Sequence, residues 1–257
     1  MSATPESATS LPVPSAGPEP LCGGQIPADA LPPLDARERL PRPARPGSDV
    51  VWLAPPQLPP GPLVWLALEG GSEAGHEDCA IHFWGLAVDD GPVEPGPEAI
   101  TAELDDPGGA HAWERFVARA GEIIERHPGA RWVHYSPRER AAVRACATAY
   151  GAPAGFLDRL EEAFFELRSR GVRRALRLPL DSRSIRQVAC LAGFRWRSPQ
   201  PEPAWSGGQY QKARASADPV ERTRILREMA DSNAENLLAM RTVWRWMLEQ
   251  GPREHCG

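Results

Sequence analysis

Apolar residues fall along the chain in two rhythms. Leu63–Leu68 (L-V-W-L-A-L) is a short continuous apolar run closed by Glu69 and two glycines, which predicts a strand buried on both faces. Cys79–Val88 (C-A-I-H-F-W-G-L-A-V) predicts a second strand, hairpin-paired with the first, and Trp132–Tyr135 a short third. The helical rhythm starts in Gly108–Arg126, where Trp113, Phe116, Val117, Ala120, Ile123 and Ile124 form one stripe. Pro137–Tyr150 suits a helix with proline in its first turn. Phe156–Ser169 and Ser182–Ala192 predict two more, the second opened by a serine cap. Pro219–Glu249 predicts a long last helix, capped by Asp218 with proline at its first position. Strands first and helices after, in alternation, predict an α/β layer fold with a largely covered sheet.

Residues 1–62 follow neither rhythm. They hold sixteen of the 29 prolines, including P-P-Q-L-P-P-G-P. Proline removes amide donors and blocks helices, so this leader is expected to be mostly disordered or extended. Ser48–Leu53 is the exception, a candidate short strand on the domain edge. The folded domain is expected over 63–250, with a flexible tail over 251–257.

Composition narrows the setting. The 257 residues carry a formal charge of −5, so no global basic field advertises nucleic acid. Charge is uneven, however: R-S-R-G-V-R-R-A-L-R at 168–177 is a local basic stretch. It either tracks a phosphate backbone or reflects an arginine-rich coding bias, Lys212 being the single lysine. Five scattered cysteines without a C-x-x-C pair argue against a disulfide framework or a zinc site. No apolar run approaches the ~20 residues that span a bilayer, and the N-terminus lacks the basic start and apolar block of a secretory signal. A cytoplasmic protein with no membrane partner is expected.

Four stretches carry chemistry. They are L-A-L-E-G at 66–70, V-H-Y-S-P-R-E-R at 133–140, F-F-E-L at 164–167 with D-S-R-S-I-R-Q-V at 181–188, and the helix 225–247 containing S-N-A-E-N-L-L-A-M. Together, in this order, they resemble the ribonuclease H-like domain of RecB-family nucleases, within the acidic-residue-dependent 3′–5′ exonuclease-type superfamily. The resemblance spans Leu63 to Leu248. H-F-W-G-L at 82–86 follows the second strand of that family, H-Y-S-P-R-E at 134–139 its histidine–tyrosine element, and S-R-S-I-R at 182–186 its serine–lysine pattern, with Arg186 in place of lysine.

The resemblance implies a ribonuclease H-like mixed sheet flanked by helices, and phosphodiester cleavage by two Mg²⁺ or Mn²⁺ ions held between converging carboxylates. It also implies single-stranded DNA or RNA as partner, and a helicase or nuclease acting in trans. Glu69, Glu139, Glu166 and Asn236 occupy the catalytic positions, with Glu69 and Glu139 as the metal ligands. Arg173, Arg174, Arg183 and Arg186 are the candidate nucleic-acid contacts. Two positions depart from the pattern. Ala67 stands where the family has its first aspartate, and Asn236 where the last helix presents one. Losing two formal charges removes most of what draws Mg²⁺ out of water, so impaired catalysis is expected.

Plainer readings stand beside these. Glu69 is either a surviving ligand or a strand-end carboxylate, Glu139 a ligand or a first-turn residue favoured by the helix dipole, and Glu166 a member of a solvated helix face. His134 is expected to pack rather than act as a base, and the tryptophans to build the core. The rival functions are a non-catalytic nucleic-acid-binding module and a partner-interaction module recruited through the proline-rich leader.

Overall fold

A computed structural model describes residues 50–70, 81–90, 96–106, 109–180, 182–197 and 205–252, with the backbone of residues 25–26. The remainder of the leader, residues 253–257 of the expected tail, and Cys79–Ala80 at the start of the expected second strand lie outside the described residues.

The strands are β1 Gln25–Ile26, β2 Val51–Trp52, β3 Leu63–Gly70, β4 Ile81–Asp89, β5 Glu98–Thr101, β6 Arg131–His134, β7 Phe164–Glu166 and β8 Leu176–Arg177. The helices are α1 Ala110–Arg126, α2 Pro137–Tyr150, α3 Phe156–Ala163, α4 Arg173–Ala175, α5 Ile185–Leu191, α6 Trp205–Ala215 and α7 Pro219–Gln250. One mixed sheet organises them in the order β1-β5-β4-β3-β6-β7. From β1 to β3 every pairing is antiparallel, whereas β3, β6 and β7 run parallel. The fold is therefore α/β with a mixed sheet flanked by helices. No described helix is long and apolar enough to cross a membrane.

Strand β3 sits in the middle and feeds both cores, as period-two alternation requires. Val64, Leu66 and Leu68 join the core that contains Trp84, Trp113, Phe116 and Trp132. Leu63, Trp65 and Ala67 join the second core, with Val133, Phe165, Trp244 and Trp246. All six tryptophans expected in the interior, Trp65, Trp84, Trp113, Trp132, Trp244 and Trp246, are buried.

The first core lies under α1, whose stripe buries Trp113, Phe116 and Ile123. Helix α7 crosses the sheet and contacts β3, β4 and β5. Its 32 residues span about 48 Å. Small residues make the crossing close: Ala67, Gly85 and Ala99 are neighbours across β3, β4 and β5. A β-carbon at Gly85 would lie 1.7 Å from the Asn233 Oδ1 of α7. Glycine at this strand position is what lets the helix approach.

Two expected helices differ from the sequence reading, and two further elements were not expected. Phe156–Ser169 is not one helix: α3 stops at Ala163, β7 follows, and Leu167–Val172 forms a wide π-helical turn. The reason is packing, since consecutive Phe164 and Phe165 enter opposite cores, which a strand allows and a helix does not. Glu166 thus lies on a strand beside His134 of β6, not on a solvated helix face. The helix expected from Ser182 begins at Ile185, with Ser184 as its cap. Helix α6 and strand β5 have weak local signals; α6 contains two adjacent glycines.

The end of the proline-rich leader packs on the domain. Val51–Trp52 pairs antiparallel with Leu176–Arg177 at the edge, Leu53 donates its amide to the Ala175 carbonyl at 2.8 Å, and Trp52 lies 5.8 Å from Trp246. Proline leaves few backbone donors for hydrogen bonding, so side chains anchor the strap. Leu58 packs against the second core and approaches Gly171 on the π-helical turn.

Candidate functional site

The cleft forms where β3 and β6 end and α7 passes over β3. Residues two apart on a strand face the same way, and Ala67 and Glu69 both line a cavity of about 390 Å³. Strand β3 closes with a bulge between Glu69 and Gly70, and Gly70 has φ 112°, a conformation that favours glycine. Arg138 of α2 donates to the Gly70 carbonyl and so fixes this end.

Helix α7 meets β3 twice. Asn233 donates from Nδ2 to the Ala67 carbonyl at 3.3 Å, and Asn236, three residues on, donates from Nδ2 to Glu69 Oε1 at 3.0 Å. Residues i and i+3 share a helix face, so two asparagines one turn apart reach two strand positions two apart.

Glu139 also lines the cleft, but its Oε2 is occupied. It accepts from the Ser136 amide at 3.1 Å and the Ser136 hydroxyl at 2.8 Å, closing a capping box at the start of α2. His134 is buried, pairs its Nδ1 with the Ser136 carbonyl at 2.7 Å and meets Phe164 edge-on, a structural role.

Glu69 has its carboxyl pushed above the usual carboxylate range by burial. Arg138, the Ser206 hydroxyl and Arg186 oppose that shift, and Glu139 adds to it. Ser206 influences Glu69 through proximity, since its buried hydroxyl makes no hydrogen bond of normal geometry.

Arg186 stands second in α5, with its guanidinium 4.4 Å over the Trp196 ring. Burial lowers its pKa, an effect opposed by Glu235 and Glu69. Its Nη1 is buried without a hydrogen-bond partner among the described residues. Arg168, held 3.9 Å from Glu166, completes the basic side of the cleft.

The structure therefore brings Glu69, Glu139, Asn236 and Arg186 together and leaves other candidates apart. Glu166 does not line the cleft, and lies 3.9 Å from Arg168, which does. The Arg183 carbonyl accepts from the buried Tyr135 hydroxyl at 2.7 Å, while Arg183 itself is exposed outside the lining. Arg173 and Arg174 lie on α4, and Arg174 faces a different cavity. Arg138 and Ser206 carried no role in the sequence reading, and Arg168 entered it only as the first residue of the basic stretch at 168–177. Arg138 had one available signal, since it stands inside the H-Y-S-P-R-E element next to Glu139.

The lining does not fit a divalent-cation centre. Three guanidiniums, from Arg138, Arg168 and Arg186, face two carboxylates, one of them committed to a capping box. The Asn236 amide directs N–H groups at Glu69, where a metal ligand would present oxygen. Among the described residues no group of three or more His, Cys, Asp or Glu is placed to hold a metal ion. The arrangement suits an anion: donors dominate, and one buried guanidinium nitrogen lacks an acceptor among the described residues. No family model, curated protein or solved structure matches the chain.

Proposed function

We propose that the chain is a ribonuclease H-like domain of the RecB-family nuclease kind that has lost metal-dependent cleavage, and that its cleft grips phosphates of single-stranded nucleic acid. The sheet supports the fold half of this reading. An antiparallel β5-β4-β3 meander continued by parallel β6 and β7 is the mixed arrangement that the resemblance implies. Convergence of β3 and α7 on one cleft supports it too, since the motif residues at 69, 139 and 236 meet there.

One observation carries the functional half. The Asn236 amide satisfies Glu69 while the guanidiniums of Arg138, Arg168 and Arg186 border the cleft and no described residue accepts from Arg186 Nη1, so the unmet demand of the cleft is for negative charge. A phosphate oxygen answers it with a charge-assisted hydrogen bond.

The test is anisotropy of a labelled single-stranded oligonucleotide across a salt series, with and without EDTA. Neutralising three phosphates gives log K against log salt a slope of about −2 for a single strand. EDTA leaves binding unchanged, and Arg186→Gln weakens it about tenfold. Binding abolished by EDTA, or retained in full by Arg186→Gln, overturns the reading.

A further inference from the structure

A second concavity opens at the other end of the two outer parallel strands. It measures about 310 Å³, and its walls include Arg131 at the start of β6, Phe165 on β7, Arg170 on the π-helical turn and Arg174 on α4. The proline-rich strap supplies Gln57, Leu58 and Pro59 as a further wall. No carboxylate is among its lining residues.

The three guanidiniums are placed but not neutralised. Arg131 donates from Nη1 to the Glu162 carbonyl at 2.8 Å. Arg170 donates from Nη1 to the Phe164 carbonyl at 3.3 Å and lies 4.9 Å over the Phe165 ring. Both sets of partners are uncharged, so they orient the guanidiniums without cancelling their charge. The Arg174 side chain makes no hydrogen bond or ion pair with any described residue. Three like charges around one concavity repel one another, and the curvature of the wall focuses their field into it.

We propose that this pocket binds a phosphate group. Guanidinium forks match phosphate geometry, and three of them around a small cavity supply more donors than a carboxylate ligand has oxygens to accept. Phe164 and Phe165 are 5% and 4% exposed, so the walls offer a base almost no aromatic face. Recognition is thus of the phosphate rather than of a nucleobase. The phosphate belongs either to a free small anion or to a nucleic-acid strand extending beyond the cleft.

The experiment is calorimetric titration of the full chain with inorganic phosphate at low ionic strength, in an Arg186→Gln background that disables the cleft. Saturable binding at one site is expected to remain, and adding Arg174→Gln weakens it about tenfold. Arg174 is exposed and holds nothing in the fold, so that variant keeps the melting temperature of its parent. Absence of phosphate binding in the Arg186→Gln protein, or binding indifferent to Arg174→Gln, overturns the proposal. An oligonucleotide titration of the single Arg174→Gln variant then separates the sources. Weakened affinity identifies a strand reaching both sites, and unchanged affinity a free small anion. The cleft reading is judged by Arg186→Gln alone, so the two fail independently.

Discussion

Asn233 and Asn236 stand one turn apart on the same helix, and both reach β3, yet their surroundings are opposite. Asn233 is 1% exposed, wedged over Gly85, with its amide on a main-chain carbonyl. Asn236 borders an open cavity, with its amide on a carboxylate. The first contact fixes how closely helix and sheet approach, and the second sets the charge of what enters between them. Substitutions at the two should therefore separate into losses of stability and changes of ligand preference.

Gly85→Ala is expected to have the largest effect. The new β-carbon displaces the Asn233 side chain, breaks its bond to Ala67 and strands a buried amide, at a cost of about 3 kcal/mol. Asn236→Ala removes one donor beside solvent and costs about 1 kcal/mol or less. Urea denaturation of both variants measures the difference. A Gly85→Ala protein no less stable than Asn236→Ala would show that helix and sheet are not locked at Asn233.

This pair also explains what the sequence could reveal. Glu69, Ala67 and Asn236 were legible through the resemblance, which sets them at that family's acidic positions, and they do share a cleft. Gly85 carried a signal that passed unused, a glycine inside an apolar strand, which marks close backbone approach. The basic side of the cleft was not legible in the same way. Arg138, Arg168 and Arg186 come from α2, the π-helical turn and α5, and only tertiary packing joins them. The β7 strand was hidden for a related reason. Three residues are too few for a period, and their identity as a strand rests on Phe164 and Phe165 entering different cores.

The middle-sized effect comes from rebuilding the acidic set. In Ala67→Asp/Asn236→Asp, two new carboxylates join Glu69 against the same wall and repel it. Without metal this destabilises the protein by about 2 kcal/mol. Mn²⁺ at about a hundred times its dissociation constant restores roughly that amount by binding the folded state alone. Melting temperature with and without Mn²⁺ is the readout, and the unsubstituted protein is expected to show no Mn²⁺-dependent rise. An equal rise in both proteins would mean that the cleft holds the cation despite its arginines, and the contrast between Asn236 and an aspartate would lose its meaning.

The smallest effect concerns Glu69 itself and works through pH. Its folded-state pKa is raised above the unfolded value of 4.5, so between those two values the folded chain holds more protons than the unfolded one. Stability then falls as pH rises from 4.5 to the folded pKa, and above the folded pKa the whole cost of the buried carboxylate is present. Glu69→Gln keeps an oxygen for the Asn236 amide and has nothing to ionise. The variant is therefore expected to melt slightly higher than its parent at pH 7, with the gap closing as pH falls below 4.5. A variant that melts lower at pH 7 would mean that Arg138 and Arg186 stabilise the carboxylate by more than burial costs it. Glu69 would then be the partner that holds those guanidiniums in place, and an incoming phosphate would have to displace it.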